Sequence, residues 1–417
     1  MTQAFLDMLH LFSCAAHGTR PKEKDYNLDE IFQQAARQGI LPLVLVSVKR
    51  LYKDGARLVQ GVALERHINN LRLLVLNNMQ KSAIVYDAVK QLADSGIPYC
   101  ILKGETLAEL YSSPECRISG DTDVYVGDEI LIKKAIKILK GHGFEFGSKG
   151  SNLHHYHADH SIAGVLELHS GLYDELFIDV WFDKQTALTE PYRVVKTHSG
   201  SELPTLGITD GLVFLHLHFT KHFLVGGIGI RQLMDMLLYI KKHKNEIDYE
   251  KFSKIIKHLK YDKFFNNVMY IGVKHLGFAE EDLYPFAYDE AIASKVLSDI
   301  ENGGNFGKDE EWRKGFYLIY NEQRFGRFKD EDYAKYMETW DRENTVKTFF
   351  LPRKNMERMY PYVAEYRFLL PVAWVHRAIG FAVKLVKRLL RSGKNNDNMQ
   401  VGEIKERMDL IKELDMI

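Results

Sequence analysis

The stretch Arg117-Ile-Ser-Gly-Asp-Thr-Asp-Val-Tyr-Val126 constrains this chain more than any other. Side chains alternate between the faces of a β-strand, so Asp121 and Asp123 point one way while Thr122, Val124 and Val126 point the other. Two carboxylates on one face repel each other and cost stability unless a cation lies between them. Hard oxygen ligands suit Mg²⁺ or Mn²⁺ rather than zinc. The plainer alternative makes Gly120-Asp-Thr-Asp123 a turn that leads into a strand, since Gly and Asp both favour turns. By themselves these residues support both readings equally.

The residues upstream favour the first. Gly96-Ile-Pro-Tyr-Cys-Ile-Leu-Lys-Gly104 reads as a short apolar strand that ends in glycine. Thr106 then opens a helix, and Glu109 stands at the spacing of a capping box. A strand, a glycine and a helix start together supply backbone N–H groups and a positive dipole end, which suit a phosphate. Thr106 and Glu109 could also satisfy those donors themselves. A phosphate cradle beside paired carboxylates predicts a site for a metal–nucleotide.

The order Leu102-Lys-Gly-x-x-Leu107, then Arg117-x-x-Gly-Asp-x-Asp-hydrophobic, resembles the nucleotidyltransferases of the DNA-polymerase-β-like superfamily. It is most similar to a bacterial branch of uncharacterised nucleotidyltransferases. The resemblance implies an α+β fold, with a small mixed, palm-like sheet flanked by helical regions. It implies transfer of a nucleoside monophosphate from an NTP to an acceptor hydroxyl, with pyrophosphate released and Mg²⁺ or Mn²⁺ as cofactor. Asp121 and Asp123 match the paired metal ligands, and Glu167 in Val165-Leu-Glu-Leu-His169 best matches the third carboxylate, with Asp179 as its rival. Val165, Glu167 and His169 share a strand face, and the branch typically shows such an acidic-x-His strand. Lys103, Gly104 and Gly120 are implied nucleotide contacts. Glu105 departs from the usual Gly or Ser, and a carboxylate there would repel a triphosphate. His218-x-x-Lys221-His222 followed by Arg231-x-x-x-Asp235 resembles the family's helical half, which closes over the nucleotide. Lys221 and Arg231 are the phosphate candidates there, whereas Asp235 reads as an i, i+4 surface partner of Arg231. Arg117, His155, His157, His169 and His222 complete the candidate pocket.

The rest of the chain sets bounds. Its 417 residues suffice for two or three domains. Lys+Arg and Asp+Glu both number 56, so no basic field predicts a nucleic-acid partner. Cys14, Cys100 and Cys116 are too few and scattered for a disulfide framework and fit a reducing compartment. Asp7 and His10 break the first apolar run, which speaks against a signal peptide and makes the cytoplasm the expected location. Helical spacing marks residues 1–95 as an N-terminal helical region, although the run Leu41–Val48 is of undecided type. Residues 96–205 form the expected catalytic core, 206–345 a helical domain closing over it, and 346–417 a helical tail.

Within the core, Asp128 can cap a helix that Gly141-His-Gly143 stops. Four histidines between His154 and His160 match no tight zinc spacing and read as a polar strand along the pocket. Gly226-Gly-Ile-Gly229 reads as a helix break rather than a dinucleotide loop. The apolar run 369–391 contains His376, Arg377 and Lys384, so it is a poor spanning helix. It could lie on a membrane surface, or dock on the protein's own helices. The final amphipathic stretch Glu403–Ile417 could pack elsewhere or mediate association. Three function classes remain. They are a transferase acting on a small-molecule, sugar or lipid-linked acceptor, a toxin-like enzyme modifying RNA or protein, and a scaffold that has lost its chemistry.

Overall fold

A computed structural model describes residues 1–53, 61–147, 155–173, 189–190, 192–225, 227–304, short stretches between 316 and 376, and 397–417. The chain opens with helices α1 (Gln3–His17), α2 (Leu28–Arg37), α3 (Leu41–Lys53) and the 34-residue α4 (Gly61–Asp94). The undecided run from Leu41 is helical: Leu43, Val44, Leu45 and Val48 are all buried, so it reads as continuously apolar rather than amphipathic.

Strands β1 (Cys100–Ile101), β2 (Asp121–Tyr125), β3 (Glu145–Phe146), β4 (His155–His160) and β5 (Gly164–His169) form a sheet in the order β1-β2-β5-β4-β3. The β2–β5 pair is parallel and the other neighbours are antiparallel, so the sheet is mixed. This register sets Asp123 opposite Glu167 and Tyr125 opposite His169. On the other side of β5, His157 lies opposite Glu167 and His155 opposite His169. The alternate residues Val124, Val126, Leu166 and Leu168 face a core shared with α4 and α6 (Glu129–Gly141). Asp128 caps α6 by accepting the N–H groups of Ile130 and Leu131.

The single turn α5 (Glu105–Ala108) starts two residues earlier than the capping-box spacing predicts, with Gly104 rather than Thr106 as its N-cap. Thr106 is buried within it, and Glu109 instead accepts the main-chain and ring N–H groups of His198. The expected capping box is therefore not made. His198 belongs to the hairpin of β6 (Arg193–Lys196) and β7 (Glu202–Thr205). That hairpin is tied to the sheet where the Thr205 hydroxyl donates to the Ile101 carbonyl, 2.7 Å away.

Beyond the hairpin come α7 (Ile208–Val225), α8 (Ile230–His243), α9 (Tyr249–His258), α10 (Asp262–His275), α11 (Glu290–Gly303) and α12 (Asp397–Glu413). The chain breaks between α7 and α8 at the glycine-rich segment, as its composition predicts. One apolar cluster joins α1–α3 to α7–α11, and Met408, Ile411 and Leu414 of the last segment belong to it. The final helix thus packs on the chain's own core. Helix α4 belongs to both cores, giving Leu71 to this cluster and Val85, Ala88, Val89 and Leu92 to the sheet's. The protein is α+β, a small mixed sheet with helical flanks.

Among the described residues, no helix is long and apolar enough to cross a membrane. Of the 369–391 run, Ala373 and Trp374 pack with Met356 and Val363 in a small cluster, and 377–391 lie outside the described residues.

Candidate active site

Strand alternation puts Asp121 and Asp123 on the sheet face away from the Val124 core, and Lys103 rises between them. Its ammonium lies 2.8 Å from Asp123 Oδ2 and 3.1 Å from Asp121 Oδ2. The repulsion that the sequence poses is thus met by a cation from the protein itself. Asp123 is buried, with its side chain 2% exposed, whereas that of Asp121 is 38% exposed. On the neighbouring strand, His169 Nε2 lies 2.9 Å from Asp123 Oδ1 and 3.7 Å from Glu167 Oε2. His157 Nδ1 approaches Glu167 Oε1 at 3.7 Å. Ligand atoms of Asp123, Glu167 and His169 all lie within 4.8 Å of one another, a donor set that suits a divalent cation.

The charges are strongly coupled. Burial alone would raise the Asp123 carboxyl, but the Lys103 charge and the His169 hydrogen bond outweigh it and hold the group well below the carboxylate range. Burial would lower the Lys103 ammonium, and Asp123 and Asp121 together raise it above the lysine range instead. A depressed carboxyl stabilises the fold fully above its unfolded value of about 3.9, and this contribution disappears as pH falls from there toward the folded value. A raised ammonium stabilises fully below its unfolded value of about 10.4 and loses its contribution as pH rises through the folded one. The stability gap between wild type and Asp123→Asn is therefore expected to shrink below about pH 4. Thermal melting of both proteins from pH 7 down to pH 3 measures it, and a gap that stays constant would contradict the assignment.

Local backbone holds the pair in place. The Ser119 hydroxyl donates to the Asp121 carbonyl at 2.9 Å, and Lys81 of α4 donates to the carbonyls of Ser119 and Gly120 at 2.9 and 3.1 Å. Gly104 has φ +85°, and a Cβ there would lie 3.3 Å from Ser119 Oγ. Gly104→Ala is expected to cost about 1–3 kcal/mol through backbone strain alone. A melting temperature equal to wild type would refute that. Glu105 is buried on the opposite face, where the Thr122 hydroxyl donates to it at 3.3 Å. Burial raises its carboxyl while Lys81 pulls it down. Its unusual carboxylate therefore points away from Asp121 and Asp123.

A cavity of about 480 Å³ opens over this face. Lys103, Gly120, Asp121 and Glu167 line its sheet side, and His218 and His222 of α7 line another wall. The two histidine rings are 4.4 Å apart. Burial, then the Lys103 charge, holds His222 down at about 4 and His218 well below the imidazole range, so both are neutral at pH 7. The third wall carries Arg117, Arg231 and Asp235. Asp235 is not a surface partner of Arg231. It is 3% exposed, and takes Arg117 Nε at 3.1 Å, Arg117 Nη2 at 2.5 Å and the Tyr111 hydroxyl at 2.7 Å. Arg231 donates to the Ile118 carbonyl instead. The i, i+4 spacing failed as a guide because α8 turns this face toward the sheet, where the stronger bidentate partner lies.

Lys221, half-buried on α7, is not among the described residues lining the cavity. The His155 side chain and Asp179 lie outside the described residues. His160 caps the β4–β5 turn by accepting the N–H groups of Ile162 and Ala163. Sequence reasoning missed Lys81, whose signal was its place with Val85, Ala88 and Leu92 on one buried stripe of α4.

No curated protein and no solved structure is significantly similar to this chain. A family model does match, over residues 24–277, a span that takes in α2 through α10 and every residue of the cavity. That span is more than half of the 417 residues, and the chain belongs to the family described as uncharacterised nucleotidyltransferase.

Proposed function

We propose that this protein transfers a nucleoside monophosphate from an NTP to the hydroxyl of a small-molecule, sugar or lipid-linked acceptor, releasing pyrophosphate. The observation that carries the reading is the convergence of Asp123, Glu167 and His169 within 4.8 Å beneath a cavity of nucleotide size. Asp121, Asp123 and Glu167 would hold Mg²⁺ or Mn²⁺, and the position of the Lys103 ammonium between the two aspartates supports a cation-seeking site. Bound divalent metal supplies charge neutralisation to the entering and leaving oxygens of a phosphoryl-type transfer. Glu167, a quarter exposed and on the strand beside the pair, would accept the proton of an acceptor hydroxyl. His169 orients Asp123 through their hydrogen bond. Leu215 and Phe219 give the cavity an apolar stretch of wall beside these polar groups.

The test is thermal unfolding with each of the four NTPs, with and without Mg²⁺ or Mn²⁺. A metal-dependent rise in melting temperature supports the reading and names the base. No rise with any nucleotide sinks it. One observation favours a second reading, a nucleotide-binding scaffold: Lys103 already neutralises the aspartate pair. A nucleotide shift of equal size with and without metal would select that reading.

A further inference from the structure

The third wall of the cavity brings two guanidinium groups together beside one hydrogen-bonded carboxylate. Arg117 and Arg231 are 4% and 9% exposed; Asp235 bonds Arg117 directly and acts on Arg231 only through its charge, with Glu105 and Asp121 as more distant anions. Each guanidinium keeps a buried nitrogen with no acceptor among the described residues, Nη1 of Arg117 and Nε of Arg231. The two cations also repel each other. Burial, and after it the Arg117 charge, lowers the affinity of Arg231 for its proton. A buried donor left unpaired costs free energy, and a charged one costs more. The sheet wall has the opposite sign, with Asp121, Asp123 and Glu167 against Lys103.

The turn at Gly104 has several of its N–H groups engaged. The Glu105 carboxylate takes its own main-chain N–H, and the N–H groups of Leu107 and Ala108 are bonded to the Gly104 carbonyl. Gly104 is not among the described residues that line the cavity.

We propose that Arg117 and Arg231 form the anion subsite for the β- and γ-phosphates of the substrate. The inference rests on the transferase reading and adds an orientation to it. The polyphosphate spans the cavity from the carboxylate wall to the guanidinium wall, and the pyrophosphate product departs from the guanidinium side. A guanidinium is always charged and carries several N–H donors, so those left over from protein contacts suit phosphate oxygens. Asp235 is a positioning residue. It holds Nε and Nη2 of Arg117, while Nη1 has no acceptor among the described residues.

Binding of inorganic pyrophosphate, ATP, GTP, CTP, UTP and the matching monophosphates to the full chain, with Mn²⁺ present, tests this by calorimetry. Arg231 is the residue to change, since among the described residues it donates to a main-chain carbonyl and holds no carboxylate by a hydrogen bond. Arg231→Gln is expected to weaken pyrophosphate and the preferred NTP by about 10-fold or more, and the monophosphate much less. Arg231→Lys is expected to recover part of the loss, because it restores charge without the fork. A second variant, Arg117→Met/Asp235→Leu, removes the buried pair together and is expected to show the same selective loss. If the wild type binds NTP but Arg231→Gln binds NTP and pyrophosphate equally well, the subsite is wrong and the transferase reading stands. If Arg231→Gln weakens the monophosphate as much as the triphosphate, the assignment to the β- and γ-phosphates is wrong. If the wild type binds none of these ligands, both readings fall.

Discussion

Asp121→Asn is expected to lose metal-dependent nucleotide binding by about 10–100-fold or more, the range in which even outer partners of a metal site act, while melting close to wild type. The reason lies in the unequal burial of the two aspartates. Asp121 is over one-third exposed, and removing its charge relieves crowding with Asp123 while Lys103 keeps its closer partner. Asp123→Asn should lose binding as well, but it should also melt lower. Its side chain is 2% exposed, and its replacement takes from Lys103 the nearer of its two aspartates and from His169 the nearer of two carboxylates. Comparing melting temperature with Mn²⁺-dependent NTP affinity for both variants separates the roles. Unchanged affinity in Asp121→Asn would remove that residue from the metal site. Equal melting of the two variants would show that the Lys103–Asp123 contact contributes nothing to the fold.

The largest loss of stability is expected from Asp235→Ala, about 3–5 kcal/mol, because it leaves a buried guanidinium without its counter-charge. Arg117 is 4% exposed, and it loses the acceptor of both Nε and Nη2 at once. The Tyr111 hydroxyl loses its acceptor in the same step. Arg117→Met/Asp235→Leu should recover much of the loss, since an apolar pair of similar volume is often neutral or better than a buried ion pair. Denaturant midpoints of the three proteins decide it. A single variant as stable as wild type would mean that the pair is hydrated and weak, contrary to its geometry.

Local pattern made the carboxylate-bearing strand legible. Period-two alternation placed Asp121 and Asp123 together and put Val124 and Val126 in a core, and Asp128 announced the helix that follows. The β-sheet class and the helical flanks followed from the same reading and from the family resemblance. Long-range contacts were less accessible. Arg117 and Asp235 are 118 residues apart, and His169 and Asp123 are 46 apart, so no local period links them. The Arg231–Asp235 spacing even suggested the wrong partner, because helical periodicity gives neighbours along a face but not the element that face meets. Glu105 was legible as a departure but not as a direction. Only the sheet geometry reveals that it bonds Thr122 on the reverse side. The union of α1–α3 with α7–α11 in one apolar cluster was likewise hidden, since the sheet lies between them in the chain.

That union has a mechanical consequence. The sheet is held to the helical body by more than its two chain connections, because Leu102, Leu107, Tyr111 and Cys116 of the segment between β1 and β2 belong to the helical cluster. The Ser112 hydroxyl in that segment also donates to the Ala15 carbonyl of α1. The Arg117–Asp235 contact adds a further tie, from the segment before β2 to α8. It works as a strut between the run that leads into the carboxylate strand and the helix that carries Arg231.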